Sequence, residues 1–253
     1  MNMLSLDRRD NYVIIQLVHP PVNALNHAMI SEIRKTMAKL DQDPEIHGAI
    51  LTGRPGMFCA GLDIKELHSL ERPQFREFLL TFRSMVKEIA AFSKPLVAAM
   101  TGHAPAGGCI LGICCDYRVM AAGTYKIGLN EVPVGLYAPP YVLALYAQWI
   151  GQHAAYQALL EGRLFQAEEA LSIGLVDELA AVEAVVSRAE TQLRTYLALP
   201  SPAWKLTKRA LRRDLLASFE VDLDQTLVSS EALWWEQGGR DVMGNIIQGL
   251  EKR

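Results

Sequence analysis

The chain has 253 residues, 50% of them apolar and 21% charged, which is ordinary globular composition. That length allows one large domain, or a domain with an appendage, around a sizeable core. The net charge of −3 argues against a general nucleic-acid binder, and no apolar run approaches the roughly twenty residues of a membrane-spanning helix.

The start, MNMLSLDRRDNY, shows neither a secretory leader nor an Arg/Ser-rich, acid-free amphipathic one. No targeting segment is expected, although processing could have removed one. Tyr12 to Val18 is a β-rich run ended by Pro20-Pro21. From His27 to Asp41, Met29, Ile33, Met37 and Leu40 recur at helical spacing. Ala49 to Thr52 is a short buried-strand candidate, stopped by the turn Gly53-Arg54-Pro55-Gly56, which lacks a nucleotide P-loop ending. Phe75, Leu79, Phe82, Val86 and Ile89 mark a second amphipathic helix. Leu96 to Met100 is another apolar strand, followed by a Gly/Pro loop and the apolar run Cys109 to Cys115. This alternation predicts parallel crossovers and an α/β fold.

The tail differs. From about residue 182 the pattern is helix after helix, with Pro202 suited to a first helical turn. Leu215, Leu216, Phe219, Leu223, Leu227 and Trp234-Trp235 supply apolar area that needs a partner surface. That surface is either the chain's own core or a neighbouring subunit; a subunit interface is expected. The division expected is a core over 1–199 and a helical region over 200–253.

Cys59, Cys109, Cys114 and Cys115 form no CxxC pair and have no accompanying His cluster, so zinc binding is not expected. They read as buried, reduced thiols in an intracellular compartment.

Three segments carry candidate chemistry. Cys59-Ala60-Gly61-Leu62-Asp63-Ile64 joins small residues to a helix start, whose first amide hydrogens are free to donate. Gly102-His103-Ala104-Pro105-Ala106-Gly107-Gly108 lies between a strand and an apolar helix, where outward amides favour developing negative charge; a Gly pair there also suits close packing. In Ile127-Gly128-Leu129-Asn130-Glu131-Val132-Pro133, a carboxylate stands among apolar residues, which raises its pKa towards a range useful for proton transfer. Taken singly, each is also readable as an ordinary loop.

Their order and spacing resemble the enoyl-coenzyme A hydratase/isomerase (crotonase) superfamily. Further motifs extend the resemblance over nearly the whole chain: Pro20-Pro21-Val22-Asn23-Ala24-Leu25-Asn26, Lys94-Pro95-Leu96-Val97-Ala98-Ala99, Cys115-Asp116-Tyr117-Arg118-Val119 and Ala170 to Asp177. The resemblance implies an α/β spiral of ββα turns with a helical C-terminal oligomerisation region, and a homotrimer or hexamer. It implies an acyl- or enoyl-coenzyme A substrate, no separate cofactor and no metal. It assigns the Leu62 and Gly107 amide hydrogens to an oxyanion hole, Glu131 to proton transfer, and Ala60, Gly61, Leu62, Asp63, Ile64, Gly107 and Asn130 to the substrate groove. Asn23 to Asn26 falls where coenzyme A contacts begin.

One departure narrows the expectation. Hydratases of this superfamily use a second glutamate on the helix after the Gly pair, and that position is Ile110 here. The one-glutamate pattern is similar to the Δ3,Δ2-enoyl-coenzyme A isomerases of mitochondrial type, which implies a role in β-oxidation. Hydration, or other acyl-thioester chemistry, is the alternative. A bacterial cytosol, or a mitochondrial matrix with a lost leader, fits either reading.

Other features have plainer readings. His103 is expected in hydrogen-bonded packing, and Asp63 as a cap of the following helix. Tyr137, Ala138, Pro139 and Pro140 either shape an acyl pocket or form a turn. Lys205, Lys208, Arg209, Arg212 and Arg213 are expected on a solvated helix face, with coenzyme A phosphates as the alternative partner.

Overall fold

A computed structural model describes residues 2–252. The strands are β1 (Leu4–Arg8), β2 (Tyr12–Leu17), β3 (Gly48–Thr52), β4 (Gly56–Met57), β5 (Leu96–Met100), β6 (Gly102–Pro105), β7 (Tyr117–Ala121), β8 (Lys126–Gly128), β9 (Leu164–Gln166) and β10 (Glu178–Ala180). The α-helices are α1 (His27–Gln42), α2 (Ile64–Ser69), α3 (Arg72–Ala90), α4 (Gly107–Cys114), α5 (Pro140–Ile150), α6 (Gln152–Glu161), α7 (Ala167–Ser172), α8 (Val185–Leu197), α9 (Ser201–Leu211), α10 (Arg213–Ser218), α11 (Leu223–Glu236) and α12 (Gly239–Glu251).

The strands form two sheets. The larger runs β1-β2-β3-β5-β7-β10, parallel throughout except for antiparallel β1. The smaller runs β4-β6-β8-β9, with β4, β6 and β8 parallel. From β3 the chain passes repeatedly from the large sheet to the small one and then into helix: β3-β4-α2, β5-β6-α4 and β7-β8-α5. Each ββα turn lies beside the last, so the α/β expectation holds in the form of a spiral.

Both faces of the large sheet are covered, which is why its strands are apolar without alternation. Tyr12, Ile14, Ile50, Val97, Ala99 and Val119 meet Val185, Ala189 and Leu193 of α8 on one face. Val13, Ile15, Leu51, Leu96, Ala98 and Met100 join α1, α3 and α4 on the other. Asn26 caps α1 by accepting from the Met29 amide. At the start of α3, Gln74 accepts from the Glu71 amide in a capping box. Below that start, Phe75, Phe78, Phe82, Met85, Val86 and Ile89 form the buried stripe.

The C-terminal helices fold back over this core. Leu215, Phe219, Leu227 and Trp234 are buried within their own chain. Trp234 stacks on Phe75 at 5.0 Å, and Phe219 on Tyr141 at 4.6 Å. The chain's own α3 and α5 thus supply the partner surface for Leu215, Phe219, Leu227 and Trp234, while Leu216, Leu223 and Trp235 stay half-buried.

The basic helix face needs a firmer correction. Lys208 and Arg212 point inward, at 8% and 3% exposure. Lys208 Nζ donates to Asp116 Oδ2 at 2.7 Å and to the Lys94 carbonyl at 3.0 Å. Arg212 donates to the carbonyls of Cys114 and Cys115. A buried carboxylate drew the two cations off the solvated face.

All four cysteines are buried free thiols, and burial pushes each above its ordinary pKa. Among the described residues, no helix is long and apolar enough to cross a membrane.

Candidate active site

The three segments singled out above leave the carboxyl ends of β4, β6 and β8, which are neighbouring parallel strands of the small sheet. Ligands of α/β sheets commonly sit at that end of the strands. The topology therefore brings together residues that lie far apart in sequence.

The first segment is pinned from both sides. The Ala60 amide donates to the Val22 carbonyl at 3.0 Å. Leu25 forms a parallel bridge to Leu62: the Leu25 amide donates to Gly61 O at 2.8 Å, and the Asp63 amide to Leu25 O at 3.1 Å. Such a bridge uses the neighbours of Leu62 and turns its own N–H away from Leu25. Asp63 then caps α2, accepting from the Lys65 and Glu66 amides, so its carboxylate serves the helix as expected. Asn23 is fully buried and ties the His19 amide and the Phe58 carbonyl together.

The second segment turns at Ala106, whose φ of 48° is rare for a residue with a side chain. Its amide is anchored to the Gly128 carbonyl at 2.8 Å. That turn starts α4 at Gly107, whose N–H is one of the helix-start amides with no partner inside the helix. Among the described residues, neither the Leu62 nor the Gly107 amide donates to a backbone carbonyl. His103 accepts at Nδ1 from the Lys126 amide at 3.1 Å and meets Tyr125 edge-on, as packing rather than chemistry requires.

The third segment supplies Glu131. It is 8% exposed, and its Oε2 is buried without a hydrogen-bond partner. Burial raises its pKa from 4.5 to about 7. The neighbouring Asn130 Oδ1 is likewise buried and unpartnered.

These residues face a cavity of about 460 Å³. Ala60, Leu62, Ile64, Gly107, Asn130 and Glu131 line it. Gly61 lies beneath the wall against Gly107, and Asp63 is turned away to its cap. Ile110 lines the cavity too, so the helix position after the Gly pair offers no proton-transfer group. Among the described residues that line the cavity, Glu131 is the sole carboxylate. Tyr137 and Pro139 contribute to the wall, while Pro140 begins α5.

Sequence reading missed the far half of the cavity. Phe75, Leu79, Phe82 and Arg83 of α3 line it together with Leu227 and Trp234 of α11. Arg83 donates to the Phe219 carbonyl from Nε at 3.1 Å and pairs with Glu220 at 3.2 Å, which holds the corner between α10 and α11. The apolar periodicity of α3 was visible, but nothing in it distinguished cavity wall from solid core.

The profile of the Enoyl-CoA hydratase/isomerase family matches residues 7–230. The chain belongs to the enoyl-CoA hydratase/isomerase family. It is an enzyme of that family and processes enoyl-coenzyme A thioesters. The mitochondrial enoyl-CoA delta isomerase 1 of Mus musculus is 37% identical over 216 residues, covering 83% of this chain and 75% of the relative. A probable enoyl-CoA hydratase of Mycobacterium leprae is 33% identical over 222 residues, covering 87% and 84%. The crystal structure of human mitochondrial Δ3-Δ2-enoyl-CoA isomerase superposes with a TM-score of 0.95 at 29% identity, over 99% of both chains. That overlap takes in the C-terminal helices, so the crotonase fold extends to the part of this family member that closes the cavity.

Proposed function

We propose that the chain is a Δ3,Δ2-enoyl-coenzyme A isomerase, moving a double bond from C3 to the trans-2 position. One observation carries this reading: among the described residues the cavity offers a single carboxylate, Glu131, with Ile110 where a second would stand. Isomerisation needs one base that takes a proton from C2 and returns it to C4. Hydration must also add water, for which a second carboxylate is the ordinary device.

In this reading Glu131 removes the C2 proton of a 3-enoyl thioester. The C2 electron pair delocalises over the thioester and the adjacent double bond as a dienolate. The Leu62 and Gly107 amides receive the negative oxygen, each donor being worth about 3 kcal/mol or more. Glu131, now a carboxylic acid, gives the proton to C4 and leaves the conjugated 2-enoyl product. Its pKa of about 7 suits both halves of the transfer. Coenzyme A enters and leaves with the substrate, so the scheme calls for no separate cofactor or metal.

The rival reading, enoyl-CoA hydration, draws on the mycobacterial relative named as a probable hydratase. A paired assay separates them: conversion of 3-hexenoyl-coenzyme A to the conjugated form, and water addition to 2-hexenoyl-coenzyme A. Isomerisation should be fast and hydration negligible, and Glu131→Gln should lower isomerisation by at least about a hundredfold while coenzyme A binding persists. Faster hydration than isomerisation, or near-full turnover by Glu131→Gln, overturns the reading.

A further inference from the structure

Glu131 opens a tight turn. Its carbonyl accepts from the Val134 amide at 3.1 Å and from the Leu136 amide at 2.9 Å, around the short helical turn Val132–Val134. Two helix ends press on this turn. At the end of α6, a methyl group on Gly162 would stand 2.2 Å from Pro133 Cδ and 3.4 Å from Asn130 Cα. At the start of α12, a methyl group on Gly239 would stand 2.6 Å from the Gly135 carbonyl oxygen and 2.9 Å from that of Leu233. One on Gly135 would stand 2.8 Å from the Gly239 oxygen. The two backbones touch only because both residues are bare.

Gly239 has no conformational reason to be glycine. Its φ lies outside the left-handed region, and it stands within α12, where alanine is the better helix former. The contact with Gly135 is what excludes a side chain. The same helix is fastened on its other side. Arg240 donates to the His68 carbonyl at 2.9 Å, and α12 packs along α2. Since α2 begins directly after Leu62 and Asp63, α12 spans from one side of the site to the turn that carries the base. Its Met243, Ile246 and Leu250 line the cavity between them.

We propose that Gly239 is a positioning residue for Glu131: it lets the first turn of α12 bear on Gly135, so that the C-terminal helix holds the Glu131 turn in place and keeps water from the carboxylate. This inference rests on Glu131 being the proton shuttle, and it adds the contact that fixes where the shuttle stands.

Among the described residues, the other titratable groups of the cavity wall are Arg83, Tyr137 and Tyr141. Arginine and tyrosine ordinarily change charge at about 10 or above, and burial pushes Tyr141 up further. Burial likewise pushes up Cys109 of α4. On the clamping elements, Arg240 turns to the His68 carbonyl, Arg163 pairs with Glu169, and Glu161 and Asp241 are exposed. His68 lies against Gly244, and an imidazole has no carboxyl band to confuse with that of Glu131.

The test is Gly239→Ala, with Gly249→Ala as its control: a methyl group on Gly249, in the same helix, meets nothing within 4 Å. In substrate-free protein, the infrared carbonyl band of protonated Glu131 is assigned by its loss in Glu131→Gln. In Gly239→Ala it should titrate about one unit below its value of about 7, because the lifted helix admits water to the carboxylate. The acid limb of the kcat–pH profile should follow, and kcat should fall about tenfold or more with KM changed by less than about threefold. A merely structural role would lower the melting temperature and leave the band where it is. If Gly239→Ala does not fold, Arg240→Ala stands in: it unfastens the first turn of α12 without adding an atom, and should move the band the same way by less. An unmoved band in the folded variant, or an equal shift in Gly249→Ala, overturns the proposal. Near-full turnover by Glu131→Gln would instead overturn the isomerase mechanism, while leaving the band's response to Gly239 readable on its own.

Discussion

Gly61 and Gly107 pack backbone against backbone. A methyl group on Gly61 would stand 2.9 Å from Ala106 Cβ and 3.0 Å from the Gly107 nitrogen, and one on Gly107 would stand 3.1 Å from Gly61 Cα. The pair therefore sets the spacing of the Leu62 and Gly107 amides. Gly61 also holds φ at +94°, a region that side chains oppose. Gly61→Ala is expected to lower kcat by a factor of about a hundred or more, because both donors lose their common aim. The same change should cost about 1–2 kcal/mol of stability for the strained backbone. Steady-state kinetics and urea unfolding read the two effects separately. A near-native kcat would remove these amides from the mechanism.

Glu131 sets two pH dependences of opposite sense. A base acts when deprotonated, so kcat/KM should rise with pH, reach half its maximum near pH 7 and level above it. Stability runs the other way. The folded chain holds a proton that the unfolded chain releases between 4.5 and about 7. That contribution is fully present below the unfolded pKa and is lost as pH rises through the folded one. The loss is on the order of 3 kcal/mol across the window. Glu131→Gln carries no such proton. It should gain on the wild type as pH rises from about 4 to about 8, and urea midpoints over that range measure the gain. A gap independent of pH would place the carboxylate in water.

The strands β2, β3 and β5 of the large sheet and the helices α1 and α3 were legible because they carry strong local patterns, whereas β7 and β10 of the same sheet were not read as strands. Leu96–Met100 and the stripe of α3 are continuous or periodic runs, and each lies where the pattern put it. β1 escaped notice because only Leu4 of its five residues is buried, so its composition reads as polar. The small sheet escaped because its strands have two to four residues and most contain Gly or Pro, too short for a period to register. Yet this sheet aligns the three site segments, which were found by their Gly pairs and lone glutamate instead. Trp234 and Lys208 show the other gap. Their partners, Phe75 and Asp116, are distant in sequence, and only the fold reveals that one helix covers a cavity and another buries an ion pair.

The closure of the cavity by α11 and α12 rests on apolar packing more than on charge. Basic residues of α2 and α3 meet acidic residues of the C-terminal helices in Lys65–Glu251, Arg72–Glu236 and Arg76–Glu231, at 2.8, 3.1 and 2.9 Å. The first two pairs are exposed and the third is half-buried, so the exposed ones are each worth at most about 1 kcal/mol. Trp234 is sealed, lines the cavity and stacks on Phe75. Trp234→Ala should therefore cost about 3–5 kcal/mol, against less than about 1 for Arg72→Ala. Urea unfolding of the two variants makes the comparison. KM for enoyl thioesters should rise in Trp234→Ala and rise more for longer acyl chains. Equal losses in the two variants would mean that charge, not the stacked ring, holds the C-terminal helices down.

The ion pair between Lys208 and Asp116 fastens α9 to the end of α4. Asp116 Oδ2 accepts from Lys208 Nζ at 2.7 Å and from the Leu96 amide at 2.9 Å, while Arg212 approaches Oδ1 at 3.6 Å. Removing one partner of a buried pair strands the other charge, at a typical cost of about 3–5 kcal/mol. Arg212 remains beside Asp116, so Lys208→Ala should fall at the lower end of that range. Replacing both members, as in Lys208→Met with Asp116→Asn, leaves no stranded charge and should cost less than Lys208→Ala alone. The asparagine also keeps an acceptor for the Leu96 amide. Urea unfolding of the single and double variants decides the point. If the double variant is the less stable of the two, the pair contributes net attraction beyond mutual neutralisation, and the C-terminal helices are held by charge at this end even though packing dominates at Trp234.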